Sequence, residues 1–407
     1  MSLIRPYVAR AIGRPLTRCN DAWERSRLEW RLADGGDPAS ELTTFLAGHG
    51  LTLPAREPDP APHRVHQVCG ATLFVSAAAG AQLVGAPTGA PGPVPVVPDV
   101  VAVVYAHGDG RRLHGDRGLD GDRGLDGGPA RGWRLGRWQA SWTPDQHAQA
   151  VAQVRQAIAR GDVYQVNLVG HASAEYTGDP AAALRRVTRL AGARYPMVLP
   201  GDGWAIASAS PETLVRVRAG RVVTRPIKGT RPATATGRAE LLASAKERAE
   251  HIMIVDLERN DLARIARTGT VTVTELFAVR RWCDLWQAES EVTAELADGV
   301  DLAGLLRAVC PGGSVTGAPK LAALSQIAAL EPVGRGPSMG ALGWLDRDRL
   351  DLGLSIRTVV VDGQRVHLWA GGGITWGSDP EAEVAEADAK AAPLRTALAT
   401  RRPSGRS

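Results

Sequence analysis

The chain has 407 residues, 44% apolar and 22% charged, which is ordinary for a globular protein able to bury a large core. No run approaches about 20 uninterrupted apolar residues, so no membrane-spanning helix is expected. The net charge of +5 does not point to nucleic acid, because the basic residues are scattered and nearly all arginine; the lysines are Lys228, Lys246, Lys320 and Lys390 alone. Met1-Ser2-Leu3-Ile4-Arg5-Pro6 lacks a signal-peptide apolar core, so a cytoplasmic location is expected by default. Cys19, Cys69, Cys283 and Cys310 form no Cys-x-x-Cys pair, which argues against a zinc site or a disulfide framework.

In chain order, residues 72–76 and 100–105 read as β-rich runs, with a Gly/Pro loop at 86–93 between them. A hexapeptide then occurs twice, Gly115-Asp116-Arg117-Gly118-Leu119-Asp120 and Gly121-Asp122-Arg123-Gly124-Leu125-Asp126. Two copies are too few to stack into a β-roll, so a flexible loop over about 109–130 is expected. Thr143 caps a helix that begins at Pro144, carries Val151, Val154 and Ile158 on one face and stops at Gly161. Strands are expected at 163–169, 204–208 and 213–218, with a hairpin turn at Gly220. A long helix is expected over 239–266, and shorter ones at 302–309 and 320–330. Strands at 340–345, 352–361 and 366–370, a glycine turn and a helix over 381–399 close the chain. This pattern is mixed α/β with hairpins and has no βαβ repeat.

Four constellations carry candidate chemistry. Lys228 sits in Arg225-Pro226-Ile227-Lys228-Gly229-Thr230-Arg231-Pro232; desolvation there would free its amine as a nucleophile, although alone it reads as a solvated turn lysine. Glu212, in Ser210-Pro211-Glu212-Thr213, would matter only if it faced a leaving group to protonate. Glu383 and Glu386 share one helix face and, with Glu250, offer oxygen ligands for a hard cation; the plain alternative is a solvated acidic helix. Two glycine loops, at 311–320 and 370–374, expose amides of the kind that bind anions, yet the first lacks the spacing of a Walker A loop.

The wording and order of these phrases are more specific than any one of them. From about Thr143 to Ala399 the chain resembles the chorismate-utilising enzymes, the family of anthranilate, aminodeoxychorismate, isochorismate and salicylate synthases. The resemblance rests on Gly161-Asp162-Val163-Tyr164-Gln165-Val166-Asn167-Leu168, Ser210-Pro211-Glu212, residues 226–230, Ile254-Val255-Asp256-Leu257-Glu258-Arg259-Asn260-Asp261, residues 312–320, Ser355-Ile356-Arg357-Thr358 and Ala370-Gly371-Gly372-Gly373-Ile374. It implies an α/β (α+β) fold in which two large, mostly antiparallel sheets pack together with helices outside and the site in a cleft. It also implies a variable N-terminal part at 1–135 and a chorismate-binding catalytic region at 140–400.

Gln165 stands where water-using members have a lysine base, which resembles the ammonia-using branch. Lys228 replaces the alanine of anthranilate synthases, which resembles aminodeoxychorismate synthase component I. The resemblance then implies that Lys228 attacks the ring at C2 while Glu212 protonates the departing 4-hydroxyl. Ammonia next takes C4, giving 4-amino-4-deoxychorismate, a precursor of para-aminobenzoate. Glu250, Glu383 and Glu386 are implied to hold Mg2+ on the ring carboxylate. Gln165, Thr230, Ser314, Lys320, Trp344, Arg357 and the amides of Gly371, Gly372 and Gly373 are implied to contact substrate.

Gln287 departs from the family, which usually has a histidine there; a glutamine cannot titrate. Trp344 stands where a tyrosine is common. The chain has no Gly-x-Cys-x-Gly phrase, so ammonia is expected from a separate glutamine amidotransferase subunit. The competing readings are an anthranilate or 2-amino-2-deoxyisochorismate synthase and, in another class, a non-catalytic chorismate- or tryptophan-binding protein.

Overall fold

The computed structural model describes residues 22–54, 68–106 and 132–399. The duplicated hexapeptide lies outside them. The elements run β1 (Trp23–Trp30), α1 (Pro38–Gly48), β2 (Val68–Val75), α2 (Ala77–Leu83), β3 (Val100–Ala106), β4 (Arg134–Leu135), β5 (Gln139–Ala140), α3 (Pro144–Ala159) and β6 (Gln165–Thr177). Next come α4 (Ala181–Thr188), β7 (Tyr195–Pro200), β8 (Ala205–Ser210), β9 (Thr213–Arg218), β10 (Arg221–Arg225), β11 (Ile227–Pro232), α5 (Ala235–Ala243) and α6 (Ala245–Ala263). The chain continues through β12 (Thr272–Trp282), β13 (Leu285–Glu295), α7 (Leu302–Val309), β14 (Gly317–Ala318), α8 (Lys320–Leu330), β15 (Ala341–Leu345), β16 (Arg349–Leu354), β17 (Thr358–Val361), β18 (Arg365–Ile374) and α9 (Pro380–Leu398).

Two antiparallel sheets result. The larger has the order β1-β3-β2-β15-β16-β9-β10-β13-β11, with β12 also on β13; the smaller runs β14-β6-β18-β17-β8-β7, with β4 and β5 on β6. Side-chain alternation explains how the layers stack. In β8, Ala205, Ala207 and Ala209 face a core shared with α4 and α9, whereas Ile206 joins the core between the sheets. In β17, Val359 and Val361 take the helix side and Val360 the inter-sheet side. Period-2 patterning with both faces apolar is what a sheet needs when helices cover one side and another sheet the other. The larger sheet contributes Leu73, Val101, Val215 and Leu352, all fully or almost fully buried, to the same cluster, which also takes in α1 and α7.

Several expectations change at the boundaries. The single helix over 239–266 is two, because Ser244 leaves the helix and its hydroxyl caps α6 by accepting from the Glu247 amide at 3.2 Å. The run 352–361 is two strands in different sheets, and the glycines at 371–373 continue β18 rather than forming a turn. The hairpin turn at Gly220 stands, with positive φ at Ala219 and Gly220. Thr143 caps α3 by accepting from the Gln146 amide, with Pro144 in the first turn. Among the described residues, no helix is long and apolar enough to cross a membrane.

Candidate active site

The chain passes between the sheets twice in neighbouring places. Pro211-Glu212 links β8 of the smaller sheet to β9 of the larger, and residues 355–357 link β16 of the larger to β17 of the smaller. The Leu354 amide donates to the Glu212 carbonyl at 3.1 Å, and the Ala209 amide donates to the Arg357 carbonyl at 3.0 Å. Both links therefore start their side chains from one region of the cleft. Arg357 has φ +49°, a left-handed conformation that costs on the order of 1–3 kcal/mol when not glycine. Its guanidinium lies 4.3 Å over the Trp282 ring and donates to the Lys390 carbonyl at 2.8 Å. Burial holds this arginine down at about 10.

Glu212 is 3% exposed, and burial lifts its carboxyl from 4.5 to about 7 against the Ser314 hydroxyl, the Lys228 ammonium and the Ile227 amide. Ser314 Oγ donates to Glu212 Oε1 in a short hydrogen bond. The same residue's carbonyl accepts from Lys228 Nζ at 2.9 Å. One serine thus holds the candidate acid with its side chain and the candidate nucleophile with its backbone. Lys228 is half-buried, and burial first and the Lys390 ammonium second depress its amine below the ordinary 10.5, opposed by Glu212, Glu250 and Glu386. A bulge in β11 between Lys228 and Thr230, with Gly229 at φ +71°, sets the direction of this side chain.

Gln165 opens β6 fully buried, and neither its Oε1 nor its Nε2 has a partner. A side chain with two unspent hydrogen-bonding groups is costly unless a ligand takes them. A Cβ added at Gly373 would stand 2.7 Å from Gln165 Nε2 and 2.8 Å from Lys228 Nζ, so this glycine keeps open the space between them. At Gly372 an added Cβ would lie 2.9 Å from Glu383 Oε2. Successive glycines of β18 thus leave room on its two faces, Gly373 beside the glutamine and the lysine and Gly372 beside the carboxylates.

Each of the three carboxylates lies beside a lysine. Lys246 Nζ lies 3.7 Å from Glu250 and 4.0 Å from Glu383, and Lys390 Nζ lies 2.5 Å from Glu386. Burial and then the Glu386 charge push Glu383 to about 7, and burial raises Glu250. Burial works upward on Glu386 too, but Lys390 outweighs it and holds that group below its ordinary value. Among the described residues, no three such groups stand close enough to ligate one ion as arranged, since Lys246 lies between two of them. The donor type and the surplus negative charge fit a hard divalent cation such as Mg2+.

Other expected contacts are corrected. The indole N–H of Trp344 donates to Asp346 at 2.9 Å and its ring stacks on Tyr105, so its N–H already has a partner within the chain. Lys320 pairs with Asp261 at 2.7 Å, and its charge is spent there. The 311–319 loop is not a cradle of free amides: residues 311–318 are buried, and the Gly313 amide donates to Glu258 at 3.2 Å. Gly371, Gly372 and Gly373 pair in register with Val169, Leu168 and Asn167. Thr230 pairs in register with Gln287, which is buried and has an unpartnered Oε1.

Sequence reasoning gave no role to Lys246 and Lys390, although each stands four residues from a site glutamate, the spacing of a helical ion pair. His251 was also passed over. It is fully buried, bonded through Nε2 to Ser290 Oγ at 2.5 Å, and held down to about 4 by burial and then by Lys228 and Arg248.

Residues 127–396 match the family model described as chorismate binding enzyme, and the chain belongs to that family. It is 37% identical over 270 residues to aminodeoxychorismate synthase component 1 of Bacillus subtilis, covering 65% of this chain and 57% of that protein. It is 40% identical over 270 residues to anthranilate synthase component 1 of Streptomyces coelicolor, covering 64% and 53%. The matched region thus spans little more than half the length of these relatives. The crystal structure of anthranilate synthase component I from Streptococcus pneumoniae superimposes with a TM-score of 0.74 at 26% identity, covering 93% of this chain and 92% of that one.

Proposed function

We propose that this chain aminates chorismate at C4, with Lys228 as covalent nucleophile and Glu212 as general acid. The observation that carries this reading is the Ser314 bridge, which holds the Lys228 amine, depressed by burial, and the Glu212 carboxyl, raised by burial, on one residue. The neutral amine forms a bond to ring C2. The ring double bonds shift, the C4–O bond breaks, and Glu212 gives its proton to the departing oxygen, which leaves as water. Ammonia then bonds to C4, the double bonds shift back and the C2–N bond breaks, returning the neutral lysine, while the new C4 ammonium gives its surplus proton back to the Glu212 carboxylate. The enolpyruvyl group stays on the ring.

Buried Gln165, with both polar groups unspent, faces the same space and orients substrate or ammonia there. Arg357 balances the anionic substrate. Glu250, Glu383 and Glu386 would hold Mg2+, which when bound supplies positive charge for the ring carboxylate. The relatives carry the name component 1, and this sequence has no glutaminase phrase; both favour a separate glutamine amidotransferase as ammonia source.

The test is mass spectrometry of the protein incubated with chorismate and Mg2+ but no ammonia. An adduct of chorismate minus water on the Lys228 peptide is expected, and none in Lys228→Ala. An unchanged amination rate in Lys228→Ala would overturn the covalent role. Ortho amination at C2 is the second reading, favoured by the 40% identity to an anthranilate synthase component. Chromatography of the product, with and without a pyruvate-eliminating lyase, separates para- from ortho-aminobenzoate.

A further inference from the structure

We infer that Glu258 and Asp261 clamp the two ends of the 313–320 loop and so fix the two Ser314 groups that face Glu212 and Lys228. The inference rests on the reading of those two residues given above. Glu258 and Asp261 are three apart on α6 and share one helix face. At the loop's start, Glu258 Oε1 accepts from the Gly313 amide at 3.2 Å, while its Oε2 accepts from Thr224 Oγ1 of β10 at 3.1 Å. At its end, Asp261 pairs with Lys320 at 2.7 Å. Between these points run Ser314, with its bonds to Glu212 and Lys228, and Gly317-Ala318, which pair with Val166 and Gln165. The loop therefore places three of the groups argued to meet substrate, and α6 holds it at both ends.

Glycine at 313 permits this close approach: an added Cβ would lie 2.7 Å from Leu257 Cδ2 and 3.1 Å from Glu258 Oε1, so those side chains would have to shift. Glu258 is 3% exposed and does not take part in the proposed chemistry. A buried carboxyl is costly unless its oxygens are used. Here both are used, one on the loop and one on the larger sheet, which makes Glu258 a positioning residue that registers the loop against β10. Burial and neighbouring Asp261 raise its pKa and favour the protonated carboxyl, whose O–H can donate to Thr224 Oγ1 while Oε1 accepts from Gly313, a pattern that a glutamine amide reproduces.

The test compares Glu258→Leu, Glu258→Gln and Asp261→Asn in the full chain. Hydrogen exchange of the 312–317 amides, read without substrate, should quicken about tenfold or more in Glu258→Leu and stay near wild type in Glu258→Gln. The kcat of amination should fall about tenfold to a hundredfold in Glu258→Leu, the scale of a small misplacement, with KM for chorismate little changed and Glu258→Gln restoring it. Asp261→Asn keeps the side-chain shape and should quicken exchange towards the 317–320 end; it serves if Glu258→Leu does not fold. Wild-type exchange in both Glu258→Leu and Asp261→Asn, or a loss in Glu258→Gln equal to that in Glu258→Leu, would overturn the clamp. A wild-type protein that shows the protected loop but forms no Lys228 adduct would instead overturn the proposed function.

Discussion

Replacing Glu212 by glutamine should abolish catalysis and stabilise the protein, the second effect only at neutral and alkaline pH. Burial lifts this carboxyl from 4.5 to about 7, a gap of about 2.5 units, or about 3 kcal/mol at about 1.4 kcal/mol per unit. At pH 4.5 the unfolded chain is half protonated and the folded one almost fully, and below that both carry the proton, so the group costs the fold little. As pH rises from 4.5 to about 7, the unfolded chain releases the proton while the folded one retains it, so the native state loses stability. Above about 7 both forms are ionised and the loss levels off at about 3 kcal/mol. Glutamine has no charge to bury, and its oxygen still accepts from the Ser314 hydroxyl. Urea denaturation should therefore show Glu212→Gln close to wild type near pH 4.5 and more stable by about 3 kcal/mol at pH 8. Its amination rate should fall by about 10²–10⁴, the contribution of a general acid. A stability difference that does not change with pH would refute the burial argument, and a retained rate would refute the acid assignment.

Other expectations test single contacts. Gly373→Ala should fold, since φ at that position is not left-handed, yet lose most activity because its Cβ falls within 2.8 Å of both Gln165 Nε2 and Lys228 Nζ; unchanged kinetics would mean that substrate does not use this space. Glu383→Gln should raise the Mg2+ concentration for half-maximal rate at least about tenfold, a loss that even an outer-shell partner brings; a Mg2+ titration reads it, and an unshifted midpoint counts against the carboxylate set. Trp344→Phe should leave kcat and KM at wild-type values and lower stability by about 1 kcal/mol through the lost indole bond to Asp346; altered chorismate affinity would return Trp344 to the site.

The helices were legible wherever capping chemistry or apolar spacing was local: α7 and α8 fall at the expected residues, and α3 starts at its Thr143 cap. Ser244-Ala245-Lys246-Glu247 carried the signature of a new helix start and was submerged in a longer periodic run. The break at residues 355–357 left no such mark, since apolar alternation continues across it and only tertiary pairing assigns the two halves to different sheets. The glycines at 371–373 read as a turn by composition. They form a strand because β6 approaches so closely that a Cβ at Gly371 would lie 1.9 Å from the Leu168 carbonyl oxygen. The role of Trp344 was beyond sequence reading because Asp346, which satisfies its N–H, lies in the turn after the same strand.

The chain has 48 basic side chains and only four are lysine; three of these, Lys228, Lys246 and Lys390, bond to residues of the candidate site. Arginine does not lose its proton in a protein, whereas a buried lysine can. Only lysine can therefore supply a neutral amine at position 228. Lys390 supports that state from the other side: it neutralises Glu386, which would otherwise favour the ammonium form of Lys228, and its own charge repels a proton there. The carboxylates proposed to hold a divalent cation would thus also tune the amine of Lys228. An ion that took over Glu386 would leave positive charge beside Lys228, so magnesium and the free amine favour one another in this arrangement.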